Sequence, residues 1–391
     1  MGVDKSAWPC FTDEEAEAVS AIIRSNRVNY WTGDVGRAFE REFAHWAGVQ
    51  YAVALANGTL ALDVALKALG VGPGDEVIVT PRTFIASVSC VVNAGAVPVF
   101  ADVDADSGNI SAATVSNCIT ERTQAVIPVH LAGWPCDMAA IMELAAAYNL
   151  GIIEDCAQAH GARIGERSVG SIGHVGAWSF CQDKIMTTGG EGGMVTVNDP
   201  ELWSAMWSYK DHGKSWEAVY ERKHSPGFRW VHESFGTNWR MLEMQAAIGR
   251  IQLTRIAQWT HRRTEIAMRL TAALGRFPAA VRTPLPADGF RHAFYRLYAY
   301  VRPDGLKSGW SRDRIVEALN HEGVQVLHGT CSEVYLEKAF ETTPFRPESR
   351  LPIARELGET SLMFLTHPSM SDGELKHAIE MIDRIFDQAA R

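Results

Sequence analysis

At 391 residues the chain has room for two or three domains of roughly 150 residues each. Hydrophobic residues make up 47% and charged residues 21%, the balance of an ordinary globular protein, and no apolar run reaches transmembrane length. The net charge of −9 disfavours nucleic-acid binding, and it means that an anionic substrate needs a locally basic pocket. Seven scattered cysteines, an odd number, point to reduced thiols, and Met1 to Cys10 lacks the apolar region of a signal peptide. A cytoplasmic protein with no membrane partner is therefore expected.

Along the chain, Thr12 to Glu15 forms a capping box before a helix over Glu14–Ser25. The apolar run Tyr51 to Leu55 leads into Asn57-Gly58-Thr59 and a helical stripe of Leu62, Leu66 and Leu69. Small and hydroxylated residues at a helix N-terminus suit a phosphate; a plain cap by Asn57 is the alternative. A strand over Glu76–Thr80 precedes Phe84, an aromatic placed either to stack on a planar ring or to fill the core. Further strands are expected over Val97–Asp102, Ala125–His130, Gly151–Asp155, Ala177–Phe180 and Gly193–Val197. Their alternation with amphipathic helices predicts an α/β fold, a mostly parallel sheet with helices on both faces.

Ligands of such sheets bind outside the carboxyl ends of the strands, where Asp155 falls. A buried carboxylate there needs a cation or a hydrogen-bond donor, and capping the next helix would also satisfy it. Cys156 and His160 have the spacing of two metal ligands, but no second ligand pair accompanies them, so no metal is expected. Ser179, Lys184 and the turn Thr187-Thr188-Gly189-Gly190-Glu191-Gly192-Gly193 combine hydroxyls, one amine and a backbone open to close approach. That combination can hold an aldehyde cofactor carrying a phosphate.

Residues 208 to 240 break the rhythm with basic and aromatic residues such as Lys210, Lys214, Trp216, Arg229 and Trp230. Such a long loop is read as part of an active site or subunit interface that could meet a substrate's diphosphate, with a merely solvated, protease-sensitive loop as the alternative. His212 and Arg240 within it are candidates for substrate contact. Leu242, Ala246, Gly249, Leu253 and Ile256 then form a helical stripe bridging to a smaller α+β domain, giving expected domains of 1–258 and 259–391. The second has a strand over Ala293–Val301, a helix over Ser311–Glu322, His328 at the end of a short strand, and a last helix capped by Ser371 and Glu374.

In order and spacing these segments resemble the sugar aminotransferases of DegT/DnrJ/StrS type, pyridoxal 5'-phosphate (PLP) enzymes with the aspartate aminotransferase-like fold (fold type I). The likeness runs from Tyr30-Trp31-Thr32-Gly33 through Gly70-Val71-Gly72-Pro73-Gly74-Asp75 and the Asp155 and Lys184 segments. It continues through Asn238-Trp239-Arg240-Met241 to His367-Pro368-Ser369. The resemblance implies a three-layer αβα large domain. It implies that Lys184 is the Schiff-base lysine and proton carrier, that Asp155 pairs with the pyridine nitrogen, and that Gln158 lies near the phenolic oxygen. Phe84 would stack on the ring, with Gly58, Thr59 and Ser179 on the phosphate and Asn238 reaching the phosphate of a neighbouring subunit. His328 would face the substrate, with a purely structural histidine as the favoured alternative.

Departures are small: Asn57 stands where many members have Ser, Cys156 where Ala is common, and the glycine turn has one Gly more. The implied activity is ping-pong transfer of an amino group from L-glutamate, leaving 2-oxoglutarate, to a nucleotide-linked keto-sugar in a homodimer with shared sites. Amino-sugar synthesis for lipopolysaccharide or O-antigen is the implied setting. A keto-cyclitol aminotransferase and a non-catalytic PLP-binding regulator are the alternatives; a PLP sugar dehydratase, with His in place of the lysine, is disfavoured by Lys184.

Overall fold

The computed structural model describes residues 8–391. Strands β1 (Tyr51–Leu55), β2 (Glu76–Val79), β3 (Val97–Phe100), β4 (Thr123–Ile127), β5 (Gly151–Asp155), β6 (Arg163–Ile164), β7 (Arg167–Ser168), β8 (Val175–Ser179) and β9 (Gly193–Val197) come first. They are followed by β10 (Val281–Arg282), β11 (Phe290–Arg291), β12 (Arg296–Val301), β13 (Val326–Leu327) and β14 (Ser361–Leu365). Seven of them form one sheet in the order β1-β9-β8-β5-β4-β2-β3. Only β9 runs against its neighbours, so the other six point the same way. Every residue of β2, β8 and β9 is buried, which is why these strands are mostly apolar and do not alternate with polar residues.

The strands expected over Glu76–Thr80 and Ala177–Phe180 end one residue early, at Val79 and Ser179, and two others end further short for local reasons. Pro128 has no N–H for the ladder, so β4 stops at Ile127. β3 stops at Phe100, and the Asp102 carboxylate instead accepts the N–H groups of Ile353 and Ala354 (3.0 and 2.9 Å). β12 begins at Arg296 because Phe294 has a φ of +46° and the N–H groups of Ala293 and Tyr295 bond to Gly133 and Ala132.

The helix Gly58–Ala68 crosses behind the sheet with Leu62 and Leu66 buried. Burying these two side chains stabilises its seat by roughly 1.5–3 kcal/mol each. The Asn57 cap on Leu60 N–H adds only about 1 kcal/mol. Packing therefore sets where this helix begins, and the cap trims it.

The 32-residue helix Glu243–Leu274 contains residues 258 and 259 and runs from one core to the next: Ala246 and Ile256 pack under the large sheet, Ile266 and Leu270 under a second, all-antiparallel sheet of order β10-β12-β14-β13. β11 pairs with β6, and β6 with β7, to make a three-stranded ribbon. The stretch 208–240 is more ordered than a free loop. Isolated bridges pair Asp211 with Asn238 and Lys214 with His232, and a fully buried Lys210–Glu40 ion pair (2.6 Å) anchors its start. Phe228, Trp230 and Phe235 project from it into solvent. No helix among the described residues is long and apolar enough to cross a membrane.

Candidate active site

Because β1, β2, β5 and β8 are parallel, their carboxyl ends bring Asn57, Thr83, Asp155 and Ser179 to one edge of the sheet. A cavity of about 570 Å³ opens there. Gly58, Thr59, Phe84, Asp155, Gln158, Ser179 and Lys184 all line it, joined by Ser87, Asp183 and Glu191, which sequence reasoning did not single out.

Asp155 closes β5 and is buried. Its Oδ2 accepts from Ser87 Oγ (2.7 Å) and its Oδ1 from Ala157 N–H (3.0 Å). A carboxylate has about four acceptor positions, so this one keeps capacity for a further donor from the cavity. Ser87 in turn pairs with Thr83 Oγ1 (2.9 Å), which ties the turn after β2 to the end of β5. Phe84, in that same turn, leaves 65% of its surface open on the cavity rim, which excludes the core-filling reading. Gln158 accepts from Ala132 N–H through Oε1 (2.8 Å), leaving its amide donors as the free end.

Gly58 opens its helix directly against Ser179. A Cβ at position 58 would lie 2.5 Å from Ser179 Cβ, so only glycine allows the helix N-terminus and the end of β8 to form one cradle. The N–H groups of the first helical residues carry partial positive charge and suit an anion. Gly190, with a φ of +121°, reverses the chain between Lys184 and β9. Thr188 Oγ1 braces this turn on the carbonyl of Glu191 (2.6 Å), and Gln245 Nε2 donates to the same carbonyl.

Lys184 is mostly buried. Its carbonyl accepts from Trp8 Nε1 (2.9 Å), and its Nζ lies 3.9 Å from Asp183 Oδ1 and 5.3 Å from the centre of the Tyr295 ring.

His212 and Arg240 lie elsewhere, in a second cavity of about 550 Å³ shared with Trp31, Lys214 and Arg229. Asp211, which sequence reasoning passed over beside His212, accepts from both Lys214 Nζ (2.8 Å) and Arg240 Nη1 (2.5 Å). Burial pushes the Asp211 carboxyl up, and these two cations hold it below the usual carboxylate range. Asn238 is exposed and lines neither cavity. His328 stands after β13, paired with Asp313 at 3.4 Å and away from Lys184's cavity.

Ligand atoms of His130, Glu154 and Cys156 cluster within 4.8 Å of one another. They are already engaged. His130 Nδ1 accepts from Cys136 N–H, so its Nε2 donates to Glu154, which also accepts the N–H groups of Gly170, Ile172 and Gly173. Burial raises the Cys156 thiol well above its ordinary range, which keeps it protonated. His160 packs on Trp178 and Phe180 with no hydrogen-bond partner among the described residues, and burial drives it down to about 3. The His130–Glu154 pair and its backbone donors fasten the end of β5.

Residues 9–383 match the profile of the DegT/DnrJ/EryC1/StrS aminotransferase family. The chain is 59% identical to a crystallised aminotransferase from Psychrobacter cryohalolentis, covering 98% of each chain with a TM-score of 0.97. It is 36% identical to the spore coat polysaccharide biosynthesis protein SpsC of Bacillus subtilis over 97% of this chain and 96% of that one. Against the GDP-perosamine synthase of Caulobacter vibrioides the identity is 36%, over 91% of this chain and 92% of the relative.

Proposed function

The chain belongs to the DegT/DnrJ/EryC1/StrS aminotransferase family, and from that membership we propose a PLP-dependent enzyme that aminates a nucleotide-linked keto-sugar. L-glutamate is the proposed amino donor and 2-oxoglutarate the by-product. The observation that carries this reading is the convergence of Lys184, Asp155 and the Gly58–Ser179 cradle on one cavity. A relative that makes a GDP-linked amino-sugar supports the substrate class.

The residues present fit PLP. The cradle suits a phosphate, Asp155 has unused acceptor capacity, and Phe84 presents an open ring. When bound, PLP supplies an electron sink for the substrate carbon that loses a proton. Asp155 would hold the pyridine nitrogen in its charged form, since an anion beside it favours that state. Ser87 and Ala157 aim the carboxylate. The Lys184 amine would hold the cofactor at rest and, once displaced by the substrate's amine, carry the proton at Nζ. Thr59 and Ser179 hydroxyls would anchor the phosphate, and the Gln158 amide would meet the phenolic oxygen. Asn238 lies outside the cavity of its own chain, and we place it on the phosphate of a second subunit in a homodimer. Arg240, braced by Asp211, and His212 line the second cavity, and we propose that they reach the substrate from the second subunit. The seven free thiols accord with a cytoplasmic location.

Two consequences can be measured. Gly58→Ala should weaken PLP binding by at least about tenfold and destabilise the protein by roughly 1–3 kcal/mol, because the new methyl overpacks the cradle. Titration with PLP and a melting curve report the two effects separately. Asn238→Ala should loosen the cofactor only in shared sites. Mixed dimers with Lys184→Ala subunits would then regain activity at one site in two, and mixed dimers with no such recovery would place each site within one chain.

The substrate assignment is tested by following 2-oxoglutarate release with a panel of 3-keto and 4-keto sugars on UDP, dTDP and GDP. Turnover of a keto-cyclitol, with none of any nucleotide-linked sugar, would overturn it.

A further inference from the structure

Asp183 stands immediately before Lys184, on the loop that follows β8, and faces the cavity. Its Oδ2 accepts from the Tyr295 hydroxyl and lies 3.5 Å from Arg296 Nη2. Arg296 also lies over the Tyr295 ring at 4.1 Å and donates from Nη1 to the Tyr295 carbonyl (2.9 Å). Carboxylate, phenol and guanidinium thus form one assembly. It joins the lysine loop of the large sheet to the start of β12 in the small one. The Lys184 amine sits between the Asp183 carboxylate and the face of the Tyr295 ring.

We propose that Asp183, held in place by Tyr295 and Arg296, is a positioning residue that steers the Lys184 amine and offsets the positive charge around it. The inference rests on Lys184 being the cofactor-bearing lysine.

The distance indicates steering. At 3.9 Å the Lys184–Asp183 pair is well beyond the ~2.7–2.9 Å of a charge-assisted hydrogen bond. The carboxylate therefore attracts the amine without a bond that must break before the amine can swing. The surrounding charges give it something to offset. Arg296 from β12 and Arg263 from the long helix are both cationic, and Arg263 makes no ion pair among the described residues. His160, driven by burial to about 3, brings no charge. Asp155 and Glu191 face the same cavity, but Asp183 is the carboxylate within ion-pair range of Nζ. Burial alone would push the Asp183 carboxyl up; Lys184, the Tyr295 hydroxyl and Arg296 hold it below the usual carboxylate range. Burial likewise pushes the Tyr295 hydroxyl up, so it stays protonated and donates.

The test is a pH titration of the visible absorption band of the PLP-loaded protein, which reads the charge state beside Lys184 without turnover. Asp183→Asn should move the midpoint down by about 0.5–1 unit, a modest shift because Asp183 is half exposed and screened by solvent. Asp183→Glu should restore it. Arg296→Gln, which removes a cation and frees more of the Asp183 charge, should move it up. Midpoints unchanged in both Asp183→Asn and Arg296→Gln, with or without a lower melting temperature, would overturn the proposal and leave Asp183 a structural tie. A wild-type protein that forms no band would instead overturn the assignment of Lys184.

Discussion

Lys184→Ala is expected to reduce transamination by at least about 10⁴-fold, because one substitution removes both the proposed covalent anchor and the proposed proton carrier. Few neighbours depend on the side chain. The contact from Trp8 goes to the Lys184 carbonyl and survives the change. The proposed phosphate cradle of Gly58, Thr59 and Ser179 is untouched. The variant should therefore fold, retain weak non-covalent affinity for PLP and lack the visible band. Wild-type turnover in this variant would remove the lysine from the mechanism.

Asp155→Asn should slow turnover by about 10²–10³-fold, the scale on which losing one preorganised electrostatic partner is felt. Asn keeps the shape and can still bond to Ser87 and to the N–H of Ala157, so the melting temperature should change little. What it loses is the negative charge that, in the proposed role, would keep the pyridine nitrogen protonated. β5 runs on into a turn and β6 with no helix between them, so the alternative to a cofactor partner is a carboxylate that orders the turn, and the two readings separate here. A carboxylate that only orders the turn survives replacement by Asn, whose side-chain oxygen accepts the same N–H of Ala157. Turnover at the wild-type rate would mean that Asp155 only orders the turn through Ala157.

The segments that carry the site could be read directly from the chain because each follows a strand of the sheet. β5 and β9 have the expected bounds, since a fully buried strand is a short apolar run and glycines mark where both begin. Parallel topology then gathers the strand ends without further information. Contacts that depend on which chain segments become neighbours were not legible. Ser87 and Asp155 are 68 residues apart, Asp183 and Tyr295 are 112 apart, and Trp8 and Lys184 are 176 apart. No local period encodes these pairings; strand order and the docking of the small sheet create them. Phe84 and Asn57 show the opposite limit. Phe84 had two local readings, and only its exposure at the rim separates them. Asn57 does cap its helix, and the close approach of Gly58 to Ser179 lies beside that cap, so the cap does not exclude the proposed phosphate site.

The most direct test of the account is the visible spectrum of the purified protein with PLP, before and after L-glutamate. The account predicts a visible band that glutamate bleaches as the cofactor takes up the amino group, and no band in Lys184→Ala. A band that glutamate leaves unchanged would contradict the proposed donor. No band in the wild-type protein would contradict the role of Lys184, on which the proposed chemistry depends.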